Sequence, residues 1–135
     1  MSSTSPGGKL RAGAIVFGWL ADILSSNVLG IPVILAFGGD PTDVDSYSRV
    51  VASDAFVLAN LPIGLLGTAI GGFVGAHLAR GEELNNAFVV GVASAVTSLV
   101  FSIGAPVPLW AVAASVILTV PAALAGGYLR ARTRK

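Results

Sequence analysis

Four long apolar runs separated by short polar breaks constrain this chain more than any other feature. They occupy residues 10–37, 51 or 55–79, 86–103 and 109–129. About 20 helical residues cross a hydrocarbon core roughly 30 Å thick, and a helix satisfies its own backbone donors and acceptors where no water is present to do so. The sequence therefore predicts an all-α integral membrane protein, a four-helix antiparallel bundle. Charge supports this: 11% of the residues are charged, against roughly a quarter in a soluble domain, too few to clothe a water-facing surface. The first run is longer than the roughly 7–15 apolar residues of a cleavable signal peptide, so it reads as a retained span.

The breaks define the organisation. Residues 1–8 are Ser, Thr, Pro and Gly after the initiator Met, without hydrophobic periodicity, and read as a disordered lead-in. Residues 9–81 form a first transmembrane hairpin, whose acidic external loop at 38–54 opens with Gly38, Gly39, Asp40 and Pro41. Residues 82–129 form a second hairpin turned by Gly104, Pro106 and Pro108, and 130–135 is a basic tail. Under this reading Lys9, Arg11, Arg80, Arg130, Arg132, Arg134 and Lys135 share one side of the membrane, and only Arg49 lies on the other. Basic residues close to span ends are retained on the cytoplasmic side. Both termini are thus expected in the cytoplasm, in a cell inner (cytoplasmic) membrane.

The two hairpins look like copies of each other. Ala14-Ile-Val-Phe-Gly18 matches Ala87-Phe-Val-Val-Gly91, and Ile70-Gly-Gly-Phe73 matches Ala125-Gly-Gly-Tyr128. Each copy crosses twice, so the repeat is parallel, related by an axis along the membrane normal. The segment Gly71-Gly-Phe-Val-Gly-Ala-His-Leu-Ala-Arg80, its short polar turn and Asn86-Ala-Phe-Val-Val-Gly91 together resemble a group of small four-span prokaryotic membrane proteins of unknown function. The resemblance implies a four-span topology and brings no activity with it.

Helices associate in lipid through small residues that let backbones approach. Such residues recur every fourth position: Ala14, Gly18, Asp22, Ser26 and Gly30 in the first span, and Asn60, Gly64, Thr68, Gly72 and Ala76 in the second. The third offers Gly91 and Ala95 with Ser94, Ser98 and Ser102 beside them. The fourth offers Ala111, Ser115, Thr119, Ala123 and Gly127. Gly18, Gly64, Gly72, Gly91 and Gly127 are accordingly expected to face neighbouring helices.

Catalytic constellations are missing from the sequence. Cysteine is absent and His77 is the only histidine, which removes thiolate chemistry, a bis-histidine haem and a Ser/His/Asp triad within one chain. His77, beside Arg80, reads as a solvated helix end. No enzyme, catalytic residue, metal site or cofactor is expected, and a net charge of +1 gives no general attraction to nucleic acid.

One carboxylate remains to be explained. At about 1.5 Å per residue, Asp22 lies roughly 16 Å along its helix from Arg11, near mid-membrane. An exposed charge there costs about 2.5–3.5 kcal/mol, so Asp22 should point into the bundle. The same count on the other spans brings Thr68, Thr97 or Ser98, and Thr119 to that height, forming a polar layer with which Asp22 should hydrogen-bond. Two functions fit. The first is an accessory or structural subunit that packs in the bilayer as a homo-oligomer or within a larger membrane complex. The second is a small oligomeric transporter or ion-conducting protein that uses Asp22.

Overall fold

The structure, a computed structural model, describes residues 9–134. The lead-in expected at 1–8 lies outside the described residues. Five helices follow in order: α1 (Ala12–Ala36), α2 (Val44–Val51), α3 (Asp54–Ala79), α4 (Glu83–Ser102) and α5 (Leu109–Thr133). All but α2 are long and apolar enough to cross a membrane, so the chain is a multi-pass helical membrane protein.

Local chemistry sets the ends. Gly38, Gly81 and Gly104 follow α1, α3 and α4 with φ of +74, +105 and +79, the left-handed conformation that glycine adopts without a Cβ penalty. The Ser53 side chain accepts the Phe56 N–H and caps α3. Helix α5 runs past the apolar segment to Thr133, with Arg130 and Arg132 in its last turn, where cations oppose the negative end of the helix dipole. Arg134 Nη1 then meets Glu83 Oε1 at 2.8 Å, tying the end of α5 to the start of α4.

The segment 38–54, expected from the sequence as an acidic external loop, contains α2. The Asp43 side chain accepts the Ser46 N–H at 3.0 Å and caps this helix. Val50 and Val51 close over Phe56, Val57 and Ala111, with Val33, Ile34 and Val107 alongside. Ahead of it, Asp40 accepts the Thr42 hydroxyl and N–H at 2.6 and 2.8 Å. Those two bonds, the hydroxyl first, hold its carboxyl below the usual carboxylate range.

Helix α3 is central, packing against α1, α5 and α4; α4 and α5 pair closely, and α1 meets α4 over a narrower contact. Size is sorted the opposite way from a water-soluble bundle. Phe17, Leu24, Leu58, Val100, Phe101 and Ile117 face outward, whereas Ala76, Ala79, Ala87 and Ala123 are almost completely buried. Val90 and Asn86 are the largest fully buried side chains. Lipid is as apolar as leucine, so nothing drives large side chains inward, and close contact between small residues holds the helices instead.

The tightest contacts lie in the half of the bundle nearer the termini. A Cβ on Gly18 would lie 2.8 Å from Val90 Cγ2, 2.9 Å from Gly71 O and 2.9 Å from Gly75 Cα. One on Gly91 would meet Ala123 Cβ at 2.9 Å, and those on Gly72, Gly126 and Gly127 would run into Ala123 O, Ala69 O and Ala87 Cβ. Gly64 departs from the packing expected of it: nothing lies within 4 Å of a Cβ built there. In the other half of the bundle, the helices diverge.

Candidate functional site

The divergence encloses a cavity of about 670 Å³. Its walls come from α1, α3, α4 and α5, and Tyr47, Val51, Ala105 and Val107 border it at the α2 end. Toward the termini it is closed where Val90, fully buried, packs on the positions of Gly18 and Gly75. The lining carries hydroxyl or amide side chains from every spanning helix, and among the described residues Asp22 is its only ionisable group apart from the Tyr47 phenol.

Asp22 is 6% exposed, although a carboxylate seeks water more strongly than any hydroxyl around it. Ser26, one helical turn on and so on the same face, donates its hydroxyl to Asp22 Oδ1 at 3.0 Å. Thr68 donates from α3 to the same oxygen at 3.1 Å. No hydrogen bond reaches Oδ2 among the described residues. Close backbone approach makes this geometry attainable, since a Cβ on Gly71 would stand 2.6 Å from Asp22 Cβ.

All five residues of the expected mid-membrane layer, Asp22, Thr68, Thr97, Ser98 and Thr119, line the cavity. Only Thr68 bonds to Asp22. Thr97 donates to Ala93 O and accepts the Trp19 Nε1–H at 2.9 Å, joining α4 to α1. Thr119 turns back to Ser115 O within its own helix, and Ser98 is exposed. Trp19 and Asn27 had no place in the sequence reading of the site. For Trp19 the spacing of three before Asp22 was the available signal, since i−3 shares the Asp22 face; Asn27, five after, lies about 140° round the helix and gave none. Two buried oxygens on the cavity wall, Ser94 Oγ and Asn60 Oδ1, have no hydrogen-bond partner among the described residues. His77 lies away from the cavity, stacked on Phe73 with ring centroids 6.5 Å apart.

The Trp19 to Thr97 bond bridges the narrow α1–α4 seam at the cavity wall. Thr97→Val should lower stability by about 1–2 kcal/mol, because it strands a half-buried indole N–H. In a Trp19→Phe background the same change should cost far less; thermal unfolding of the double-mutant cycle measures the difference. Equal costs in both backgrounds would remove this bond from the account of the seam.

No family model, curated protein or solved structure matches the chain. The functional argument therefore rests on the geometry of the cavity.

Proposed function

We propose that the chain is a small membrane transporter or solute-conducting protein, which takes a small polar solute into the cavity between its four spanning helices. One observation carries this reading: a cavity of about 670 Å³ at membrane depth whose walls hold Asp22 and hydroxyl or amide side chains from all four helices. That volume lies within the roughly 300–1,000 Å³ typical of ligand sites. Polar groups at such depth carry an energetic cost and mark pathways or binding sites. The Asp22 carboxylate, with no Lys, Arg or His on the walls among the described residues, favours a cationic or neutral hydrogen-bonding solute over an anion.

The accessory-subunit reading rested on small-residue faces offered to a partner. Gly18, Gly72, Gly91 and Gly127 instead meet atoms of this same chain, so those faces are already occupied, and a homo-oligomer or larger complex would form on the bulky outward-facing residues. The basic residues at the terminal end support a cytoplasmic location for both termini, which makes the cavity accessible from the external side. The chemistry is non-enzymatic and needs no cofactor.

Because cysteine is absent, single cysteines can map access cleanly. An impermeant thiol reagent applied to intact cells should label Ser46→Cys and the cavity-lining Ser115→Cys. It should leave Thr133→Cys and the fully buried Ala87→Cys unlabelled until the membrane is permeabilised or the protein unfolded. Labelling of Thr133→Cys but not Ser46→Cys would reverse the orientation. Protection of Ser115→Cys from both sides in folded protein would end the cavity reading, and stoichiometric co-purification with a larger complex would then support the accessory one.

A further inference from the structure

We propose that the floor of the cavity is a binding site for a monovalent metal cation of sodium size, held by Asp22, Ser26, Thr68 and the Gly64 carbonyl. This deepens the transport reading and rests on the cavity being a real site in the membrane. Its basis is a count of protons. Ser26 Oγ lies 3.0 Å from Asp22 Oδ1 and 3.5 Å from Gly64 O. Thr68 Oγ1 lies 3.1 Å from the same Asp22 oxygen and 3.2 Å from the same carbonyl. A hydroxyl has one proton to donate, so two protons serve four oxygen–oxygen contacts. Each hydroxyl serves one of its two acceptors at a time; with a cation among the four oxygens, both can turn their protons away and present lone pairs to the metal.

Donor chemistry and size narrow the ion. All four donors are oxygens, as hard cations require. The single carboxylate balances one positive charge, and a divalent ion at this depth would leave one charge uncompensated. Octahedral coordination at about 2.4 Å, the range found for calcium, places adjacent oxygens about 3.4 Å apart, whereas the roughly 2.0–2.1 Å of magnesium would draw them to about 2.9 Å. The spacings of 3.0–3.5 Å fall between these two shells, so charge rather than spacing excludes the divalent ions, and sodium is the monovalent ion close to calcium in radius. Among the described residues, no hydrogen bond reaches Asp22 Oδ2, and elsewhere on the cavity wall Ser94, 5% exposed, has an unpartnered Oγ.

Thermal unfolding of the full chain in detergent, in sodium chloride against choline chloride of equal ionic strength, tests the site. Saturating sodium should raise the midpoint by roughly 5 °C, and potassium, which needs a wider shell, by much less. Thr68→Val should weaken the apparent sodium affinity at least tenfold, and Asp22→Asn should abolish the shift. Equal midpoints of the unaltered protein in sodium and choline would overturn the proposal, as would a sodium shift that persists in Asp22→Asn. A stabilisation that follows pH and ignores sodium would also overturn it, assigning the site to a proton. Should Asp22→Asn fail to fold, the unaltered protein and Thr68→Val still decide. Ser115→Cys labelling is read separately, so loss of the sodium effect with labelling intact overturns the cation site alone.

Discussion

Alanine at Gly72 or Gly126 is expected to destabilise the folded bundle severely, while alanine at Gly64 should leave it unchanged. A Cβ at Gly72 would run into the backbone carbonyl of Ala123, and one at Gly126 into that of Ala69, so α3 and α5 touch backbone to backbone at both points. Overfilling a packed site typically costs about 1–3 kcal/mol when side chains can shift. Here the obstacle is a helix backbone, and relief requires moving one helix axis away from the other along the whole contact. Losses above about 3 kcal/mol are therefore expected, a large part of the roughly 5–15 kcal/mol that holds a typical protein together. Gly64 borders the cavity with open space beyond its Cα, and its alanine variant should stay within about 0.5 kcal/mol. Size-exclusion profiles and unfolding midpoints in detergent compare the three. A Gly72→Ala variant that unfolds at the unaltered midpoint would disprove the α3–α5 contact.

The same comparison shows how far a four-residue period can be read. In α1 it named Ala14, Gly18, Asp22, Ser26 and Gly30; all but the half-buried Ser26 are the buried residues of that helix. The period works because lipid exerts no pull on small residues, so they collect where backbones meet. It failed at Gly64 because that stripe continues past the point where the helices diverge, and a glycine lining a void looks in sequence like a glycine under a backbone. Helix α2 escaped notice for a different reason. Eight residues with Asp45, Ser46, Ser48 and Arg49 among them form no apolar run, although the Asp43 cap and the spacing of Val44, Tyr47 and Val51 were there to be read. In the site, counting rise per residue placed Asp22, Thr68, Thr97 and Thr119 at a common depth. Depth is only one coordinate: rotation about each helix sent Thr97 to Trp19 and Thr119 to its own backbone.

Asp22→Asn is expected to leave the bundle assembled while reducing cation and solute binding by roughly 100-fold or more. The residue could serve as a clasp joining α1 to α3 through Thr68, or as the charge of a binding site, and the two roles predict opposite outcomes. Asparagine keeps a side-chain oxygen where Asp22 Oδ1 accepts from Ser26 and Thr68, so the clasp survives in shape. The helices also have other means of holding together. Gly18 lies against Gly71 and Gly75, and a Cβ on Gly67 would stand 2.9 Å from Ser26 Cα, so the α1–α3 contact continues on either side of the carboxylate. Thr68 has Gly64 O within 3.2 Å as an alternative acceptor. The stability change should therefore be about 1 kcal/mol, the worth of one altered hydrogen bond. Binding has no comparable substitute, because among the described residues no other carboxylate lines the cavity, and removing one partner of a buried charge pair costs about 3–5 kcal/mol. Unfolding midpoints measured beside sodium binding and solute uptake into proteoliposomes separate the roles. A variant that unfolds several degrees earlier yet binds sodium and takes up solute as before would assign Asp22 to the clasp and refute the site. A variant that folds normally and has lost both activities would show that this buried carboxylate is retained for the ion it holds.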